Sequence, residues 1–356
     1  MSTGMLFVQT RDLVPESDED LRTRADALCR TIHGNRVHVR GLVEVTNYCR
    51  QNCLYCGLRR SNGRVRRYRM PEEMVIAMLQ KAHARGLRSF VLQGGEDPEY
   101  GAERLARLAE RIRAALGDEV ALAFSFGTFR RHEYARLRQA GVERYLLRFE
   151  TSDEQLYRML RGTELAMRLD ALEALRALDF EVGSGFMTGL PGHDHERLER
   201  DVALARSLDL DMVGVGPFIP HPNTPLGKES CLGLEPALQA TAMLRLALPY
   251  ANMPATTAAG SIAPDGRERM LAAGANVLMP NIGPVDFKKD YEIYPGKICL
   301  DEDGLRCIGC LAVRVASIGK ELSFGRGDAP SHARRSNGKP DMPLHMPAAA
   351  HQEDGA

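Results

Sequence analysis

Strand-like apolar runs alternate with amphipathic helical runs from about residue 41 to residue 280 of this chain. Such alternation indicates a parallel sheet, because each helix crosses back so that the next strand runs in the same direction. Eight runs over this length predict closure into an α/β fold of the (β/α)8 TIM-barrel type. A doubly wound open sheet is the alternative, but no G-x-G-x-x-G fingerprint follows the first run. The predicted strands are Leu42–Thr46, Ser89–Gln93, Val120–Ser125, Arg144–Arg148, Glu181–Met187, Met212–Gly216, Met253–Thr257 and Asn276–Met279.

The barrel is assigned to residues 41–322, and one segment flanks it on each side. Residues 1–40 are predicted to form an N-terminal helical extension. From residue 323 to residue 356 Gly, Pro, Ala and charged residues occur without an apolar period, so a disordered C-terminal tail is expected. The helices predicted between the strands include Pro71–Arg85, Ala102–Ala115, Arg130–Gln139, His195–Leu208 and Glu235–Leu248.

The overall composition argues against nucleic acid and membranes as partners. Lys plus Arg and Asp plus Glu both number 47, so the chain has no global charge that would favour either surface. No apolar run approaches the ~20 residues of a membrane span, and the first residues lack the basic and apolar regions of a signal peptide. We therefore expect a cytoplasmic protein in a reducing compartment.

Three cysteines with C-x3-C-x2-C spacing, Cys49, Cys53 and Cys56, follow the first predicted strand. Soft thiolate ligands at this spacing suit three corners of a 4Fe-4S cluster and leave its fourth iron open to a further ligand. A zinc site would need a fourth Cys or His nearby. His38 lies in a strand-leading segment and His83 is the next histidine along the chain, so the spacing favours the cluster over zinc or a purely structural role.

Polar residues also stand where later strands end, which is the edge at which barrel enzymes place their active sites. The second strand is followed by two glycines that allow close backbone approach to a ligand, and by a carboxylate. An ordinary βα turn is the alternative reading of this element. Its residues are Gln93, Gly94, Gly95 and Glu96.

The fourth strand, RYLLRFET, carries charge on one face. Period-two alternation places Arg144, Arg148 and Glu150 inward, where unpaired charges would be costly to bury. A buried salt-bridge network is one interpretation. Binding of a polar ligand is the other, with Glu150 accepting from ribose hydroxyls and Arg168, on the following helix, clamping a carboxylate.

Two more groups of residues are candidates for ligand contacts. Thr256 and Thr257 end the seventh predicted strand, where their hydroxyls would contact a ligand or cap a helix. A second cysteine set follows the barrel strands with C-x7-C-x2-C spacing, and it would hold another iron–sulfur cluster, hold zinc, or remain as free thiols. Its members are Cys299, Cys307 and Cys310.

The first cysteine motif, with Tyr55 before its last cysteine, resembles the radical S-adenosylmethionine (SAM) superfamily. In that superfamily the open iron chelates the amino and carboxyl groups of SAM, and electron transfer splits SAM into methionine and a 5′-deoxyadenosyl radical. The residues from Gln93 to Glu96 resemble the superfamily's GGE element, which holds the SAM amino group.

Longer sequence segments indicate one family within this superfamily. EVTNYCRQNCLYCGLRR, VLQGGEDP, RYLLRFET, DMVGVGPFIPHPNTPL, MPATTA and YPGKIC together resemble HydE, the radical SAM maturase family of iron–iron hydrogenases. The resemblance runs from about residue 38 to residue 322. It implies SAM contacts at Tyr55, Glu96, Ser125, Glu150, Arg168 and Met212, and an internal substrate cavity at Arg144, Thr256, Thr257 and Tyr291.

The resemblance also implies a biochemical setting. The family acts on a small iron–carbonyl–cyanide–cysteine precursor made by the maturase HydG and passes its product toward HydF, and its cluster needs a reducing electron donor. The second cysteine set is dispensable in the family. Two other functions are weighed against this one: radical SAM chemistry of the methylornithine or biotin synthase type, and a non-catalytic iron–sulfur carrier. A carrier explains poorly why Glu96, Glu150 and Arg168 occupy three separate elements.

Overall fold

The computed structural model describes residues 17–337. Parallel strands form its centre and helices surround them. The strands are β1 (Arg36–Val39), β2 (Gly41–Thr46), β3 (Ser89–Gly94), β4 (Ala121–Ser125), β5 (Arg144–Leu146), β6 (Glu181–Ser184), β7 (Met187–Thr188), β8 (Met212–Val213), β9 (Gly216–Pro217), β10 (Val277–Leu278) and β11 (Glu321–Ser323).

The helices follow the strands as the crossovers of a βα repeat require. They are α1 (Asp18–His33), α2 (Glu72–His83), α3 (Ala102–Leu116), α4 (Arg131–Gln139), α5 (Glu154–Arg161), α6 (Leu165–Ala177), α7 (His195–Ser207), α8 (Glu235–Ala247), α9 (Thr257–Ile262), α10 (Gly266–Ala272), α11 (Val285–Lys288), α12 (Cys307–Ala316) and α13 (Pro330–Ser336). None of these helices has both the length and the apolar character that crossing a membrane requires.

The strands close into a ring. β2, β3, β4, β5, β6 and β8 are hydrogen-bonded in that order, and every pairing is parallel. The two segments predicted as the last strands contribute mainly single bridges to the ring. Three parallel bridges complete the circle, and they pair Met212 with Asn252, Pro254 with Val277, and Leu42 with Asn281. The predicted barrel is therefore confirmed.

One predicted strand is interrupted where the ring must bend. The run Glu181–Met187 is split into β6 and β7 by Gly185, whose φ is 146°. A side chain at Gly185 would collide with the carbonyl oxygen of Gly214 on the neighbouring segment. Only glycine tolerates this combination of backbone angle and close approach, so the strand breaks there.

The outer helices bury one face against the ring. In α3, Leu105, Leu108 and Ile112 recur at helical spacing and are fully buried. Burial of each such side chain contributes about 1.5–3 kcal/mol. The helix expected to carry Arg168 is α6, whereas α5 was not among the helices predicted. Asp153 caps the start of α5 by accepting from Leu156 N, and Gly162 in the left-handed conformation ends it.

The segment expected to be disordered is ordered over its first part. Ser323 pairs with His38 as the last residue of β11, and α13 follows at Pro330–Ser336. Asp328, between these elements, is ion-paired to Arg144 of β5 at 2.7 Å. The expectation was wrong for residues 323–337, because polar residues that lack an apolar period are held here by buried charges remote in the sequence. Residues 338–356 lie outside the described part of the chain, as do residues 1–16 of the N-terminal extension.

These contacts seal the amino-terminal end of the ring. Arg144 is fully buried and also pairs with Glu181 at 2.8 Å, donates to Ser89 Oγ at 3.0 Å and donates to the carbonyl of Arg326 at 3.1 Å. Arg144, Glu181 and Ser89 each begin their strands, so the network lies at the end of the barrel opposite to the strands' carboxyl ends. Arg40 reaches the same layer, donating to Gly327 O at 3.2 Å.

We expect a buried histidine to make the fold sensitive to acid. Burial and the neighbouring Arg245 lower the pKa of His33 from 6.5 to about 3. Between these values the unfolded chain binds a proton that the folded chain does not, so stability is complete above pH 6.5 and falls as the pH decreases. From pH 7 to pH 5 this group costs about 2 kcal/mol. Chemical denaturation of His33→Gln at both pH values should show a loss smaller by that amount.

The matched control for this prediction is the exposed His195→Gln on α7. That variant should keep the pH dependence of the unmodified protein. Equal pH dependence of the free energy of unfolding in both variants would contradict the assignment to His33.

Candidate active site

The cysteine motif occupies the loop that follows β2, at the carboxyl edge of the ring. Cys53 is buried, whereas Cys49 and Cys56 are half-buried. The carboxyl ends of parallel strands lie at the same edge of the barrel, so this loop is close to the loops that follow β3, β4 and β5. The three thiols therefore stand at the barrel end that the sequence analysis predicts.

Backbone hydrogen bonds hold this loop from several sides. Arg50 N donates to Glu96 O at 2.9 Å, and Leu54 N donates to Leu160 O at 2.9 Å. Gly57 N donates to Ile293 O at 3.0 Å, and Leu226 N donates to Leu54 O at 3.2 Å. The partners come from the loop after β3, the end of α5 and two later loops. The carboxyl edge of the ring, which we call the mouth of the barrel, therefore fixes the backbone of the cysteine loop from several sides.

Two glycines make this close packing feasible. A side chain at Gly95 would meet the carbonyl oxygen of Tyr48, and its Cβ would lie 2.7 Å from the Cβ of Cys49. A side chain at Gly57 would meet Glu292 O and would lie 2.7 Å from the ring of His221. Gly95, the second glycine of the GGE element, is therefore needed for close packing against the cysteine loop.

The thiols are in a poorly solvated environment. Burial raises the pKa of Cys49 and of Cys53, and it raises the pKa of Cys56 to about 12. A nearby cation opposes this effect at one of them, since Arg161 Nη1 lies 3.2 Å from Cys53 Sγ. Metal ligation requires the thiolate form, so iron binding here would release protons.

Glu96 is the centre of a charged cluster beside the cysteines. It pairs with Arg161 at 3.0 Å, accepts from Gln51 Nε2 at 2.7 Å and lies 3.9 Å from Arg168. Arg168 in turn donates to Tyr157 OH at 3.0 Å. The structure thus brings together two predicted SAM contacts, Glu96 and Arg168, with the cysteine loop. Glu96, Arg161 and Arg168 line one side of an open cavity of about 990 Å³.

Glu150 stands in a strained position at the same edge. Its φ is 66°, in the left-handed region that non-glycine residues rarely adopt, and such strain is found at functional positions. Its carboxylate lies 3.5 Å from Arg148 Nε, a distance too long for a good hydrogen bond.

Buried polar atoms without partners test whether a polar group fits this site. Buried side-chain atoms without a hydrogen bond occur in several parts of the described chain, and three of them, Glu150 Oε2, Arg148 Nε and Arg161 Nε, lie at this edge. Unsatisfied buried polar atoms are expensive, so a cluster of them marks a place for a polar ligand. The three thiols, these atoms and the Glu96 carboxylate fit an iron–sulfur cluster that carries SAM.

The remaining predicted SAM contacts at the mouth are distributed around this site. Tyr55 is half-buried and packs against a buried apolar cluster that includes Leu156 and Leu160 of α5. Ser125 ends β4 and pairs in register with Gln93 of β3. Gly94 leaves no room for a side chain, since an added Cβ would lie 2.7 Å from Thr46.

A polar group that the sequence analysis missed lies in the barrel interior. Glu44 of β2 is 3% exposed, and burial raises its pKa. It pairs with Lys297 at 2.5 Å and accepts from Asn281 at 2.7 Å and from Gln93 at 3.3 Å. The sequence signal for this group was an acidic residue two positions after Leu42 in an otherwise apolar strand, since that spacing places both side chains on the inward face.

The predicted substrate residues lie on several sides of the interior. Thr256 caps α9 by accepting from Ala259 N at 3.4 Å, so the capping alternative describes its hydroxyl. Thr257 faces a cavity of about 160 Å³ that Asn281 and Lys297 also line. Tyr291 is buried beneath the cysteine loop, with its carbonyl accepting from Lys297 Nζ at 3.3 Å.

Two predicted contacts lie away from the cysteines. Arg144 belongs to the buried network at the amino-terminal end, where all its partners are protein groups. The salt-bridge interpretation of its strand describes these contacts. Met212 begins β8, and its sulfur accepts from Arg40 Nη1 at 2.8 Å in the same layer. The structure therefore does not bring Arg144 or Met212 together with the cysteine loop.

The second cysteine set surrounds the smaller cavity. Cys299, Cys307 and Cys310 all line it, with Cys307 buried and Cys310 exposed. Cys307 Sγ donates to Glu302 at 2.7 Å, and burial together with this carboxylate raises the Cys307 pKa to about 12. Within residues 17–337, no three His, Cys, Asp or Glu side chains converge on a single metal ion. A second cluster at these thiols stays a prediction.

Arg161 is the second residue that the sequence analysis missed. It contacts both Cys53 and Glu96, and its side chain is 11% exposed. Arg161 is the last residue of α5, directly before the helix-ending Gly162. This position, where the chain turns back toward the barrel, was the sequence signal that its side chain could reach the carboxyl edge of the strands.

We expect Gly95→Ala to impair cluster binding through the backbone contact described above. The added methyl group must displace Tyr48 O or Cys49, so iron content after anaerobic reconstitution should fall several-fold, with a stability loss of about 1–3 kcal/mol. Gly101→Ala is the matched control, because no atom lies within 4 Å of the point that its Cβ would occupy. Iron analysis and thermal unfolding measure both effects, and normal iron content in Gly95→Ala would contradict the packing argument.

Comparison with known proteins bears on this arrangement. Residues 43–205 match the Radical SAM superfamily. The chain is 42% identical over 305 residues to the [FeFe] hydrogenase maturase subunit HydE of Thermotoga maritima, covering 85% of this chain and 87% of that protein.

Methylornithine synthases are also related. The 3-methylornithine synthase of Methanosarcina acetivorans is 30% identical over 258 residues, which is 72% of each chain. The crystal structure of methylornithine synthase (PylB) superimposes with a TM-score of 0.76 at 26% identity, covering 88% of this chain and 92% of that one. By its long match at high identity, this enzyme belongs to the HydE family within the biotin synthase-like radical SAM superfamily.

Proposed function

We propose that this protein is a hydrogenase maturase that cleaves SAM reductively and acts on a small organometallic precursor of the iron–iron hydrogenase H-cluster. The observation that carries the proposal is the position of Arg161, which lies 3.2 Å from Cys53 Sγ and 3.0 Å from Glu96, at the edge where Cys49 and Cys56 also lie. The similarity to Thermotoga HydE supports the maturation context.

The residues of the mouth would share the work of holding the two groups. The thiolates of Cys49, Cys53 and Cys56 would hold a 4Fe-4S cluster, and Glu96, Glu150 and Arg168 would hold SAM. When bound, this pair supplies a 5′-deoxyadenosyl radical. Glu96 is kept in place by Arg161 and Gln51, so it can accept from an ammonium group without moving.

The substrate proposal concerns the barrel interior. A reactive radical requires a substrate that is small, fixed and shielded from water. An iron–carbonyl–cyanide–cysteine complex is anionic and needs a fixed cation. Arg148 meets this need better than Arg144, because Arg148 donates only to Phe186 O and keeps an Nε without a hydrogen bond beside Glu150, whereas Arg144 is bonded to four protein groups. Thr257 and Tyr291 would orient the complex, and HydG and HydF remain its proposed source and destination.

We expect SAM to perturb the electron paramagnetic resonance spectrum of the reduced, reconstituted cluster. Ala at Cys49, Cys53 or Cys56 should abolish 5′-deoxyadenosine formation, because two thiolates cannot hold the cluster with one open iron. The exposed Cys231→Ala is the matched control and should cleave SAM normally. A spectrum unchanged at saturating SAM would refute the assignment. Hydrogenase activation in an anaerobic mixture of maturases, with and without this protein, tests the maturation role.

Arg148→Gln should separate SAM cleavage from maturation. Loss of the fixed cation removes a charge-assisted contact worth about 1.5–3 kcal/mol, so hydrogenase activation should fall at least tenfold. Uncoupled SAM cleavage should fall much less than maturation, because the thiols, Glu96 and Glu150 are all retained and only the 3.5 Å pair between Arg148 and Glu150 is lost. The control is Arg138→Gln on α4, whose side chain is 35% exposed and paired with Asp179. Normal maturation by Arg148→Gln would show that the cation lies elsewhere.

A further inference from the structure

A ribbon of arginines covers the outer side of the cysteine loop. We name it the basic ribbon, defined as Arg59, Arg60 and Arg64 together with Arg50 inside the motif. Arg50, Arg60 and Arg64 are exposed, and Arg59 is half-buried. The whole chain has a formal net charge of zero, so this density of positive charge is local.

The basic ribbon is attached directly to the cluster ligands' backbone. Arg59 N donates to Cys56 O at 3.1 Å, and Arg60 N donates to Gln51 O at 2.8 Å. The side chain of Asn52, next to Cys53, accepts from Arg59 Nε at 3.1 Å and from Ser61 Oγ at 2.8 Å. A protein that docks on the ribbon would therefore contact the loop that carries the three thiols.

Most of the ribbon's charge is not neutralised by the described chain. Within residues 17–337, no ion pair joins Arg59, Arg60 or Arg64 to a carboxylate, and the Arg64 side chain donates to the amide oxygen of Asn223. Arg50 lies 3.5 Å from Glu96, a carboxylate that it shares with a closer arginine.

Other surface arginines differ from those of the ribbon. Arg107 and Arg200, for example, sit in ion pairs along their helices. Asp290, an acidic group near the ribbon, is bound by Arg66. The ribbon therefore keeps positive charge available for an acidic partner.

We propose that the basic ribbon is the docking surface for a small acidic protein that carries a low-potential one-electron centre. The inference rests on the proposed function, since a cluster that must be reduced needs an electron from outside. The docked carrier would lose one electron and the cluster would gain it, with no proton or bond exchanged between the two proteins. Complementary charge steers such encounters and sets the association rate.

Nucleic acid is the other class of partner that a basic surface could take. Binding of single strands without sequence preference uses aromatic side chains interleaved with the cations, on which bases stack. The stretch from Arg59 to Met70 has one aromatic residue, Tyr68, and it is buried with its hydroxyl donating to Glu44 O. The ribbon therefore fits an acidic protein surface better than a base-stacking ligand.

The test compares binding of a flavodoxin, a small acidic flavin protein, to reconstituted protein and to variants. In Arg60→Gln/Arg64→Gln, affinity at low salt should fall about tenfold and its salt dependence should weaken. The matched control, Arg107→Gln/Arg200→Gln, removes the same charge from α3 and α7 and should bind as the unmodified protein does. Calorimetry or fluorescence titration over a range of ionic strength measures both.

The second readout is the rate of cluster reduction, followed by rapid-freeze electron paramagnetic resonance. Flavodoxin hydroquinone, which becomes the semiquinone as it gives up one electron, should reduce the ribbon variant about tenfold more slowly than the unmodified protein at low salt. Dithionite, which needs no docking surface, should reduce both equally. Slower reduction by dithionite as well would overturn the proposal, because it would mean that the substitutions damage the cysteine loop.

Three further outcomes would overturn the docking surface. They are equal flavodoxin affinity in the ribbon variant and the unmodified protein, an equal loss in the control variant, and tighter binding of a mixed-sequence RNA oligomer than of flavodoxin. Failure of the proposed function is distinguishable from these results. A protein that binds flavodoxin through the ribbon but shows no spectral change with SAM would refute SAM chemistry alone.

Discussion

The stagger of the closed parallel ring determines which side chains meet at its mouth. A ring of tilted strands closes only if the hydrogen-bonded register drifts along the barrel axis from strand to strand. The paired residues run from Glu44 of β2 through Gln93 to Ser125 of β4, and from Leu146 of β5 through Gly183 to Met212 of β8. The cysteine loop follows the end of β2 and therefore lies at the carboxyl edge, whereas the starts of β5 and β6 lie at the opposite end.

The mouth and the sealed end therefore use charge differently. At the sealed end Arg144 has four protein partners, although Glu181 Oε1 and Arg40 Nε nearby make no hydrogen bond within the described chain. At the mouth several buried polar atoms make no hydrogen bond within the described chain, among them Glu150 Oε2 and Arg161 Nε. A buried cation as well bonded as Arg144 rigidifies a structure, whereas uncommitted groups on a rigid frame are prepared for a ligand. Arginine thus serves structure at the sealed end, and at the mouth we propose that it serves binding.

The features that depend on local pattern could be predicted from the sequence. The cysteine spacing, the barrel strands and the main helices follow from periodicity and ligand chemistry, and they match the structure. Strand alternation also turned Arg144 inward correctly. Because the predicted strand begins at Arg144, its level at the amino-terminal end was also available from the sequence, whereas its assignment to the substrate cavity came from the family resemblance. The ordered segment around Asp328 was missed because its partner Arg144 is 184 residues away, beyond the reach of any local composition.

The seal at the amino-terminal end has a consequence for how the chain is made. Asp328 and Gly327 bind Arg144, Arg40 and Asn252, so the floor of the barrel is completed by residues that leave the ribosome after every strand of the ring. A nascent chain that stops short of them has its strands but leaves Arg144, a fully buried cation, without one of its two carboxylate partners. Completion of the barrel thus waits until residues 327 and 328 have been made, and a chain shortened before residue 327 would lose the floor while keeping every cysteine of this sequence.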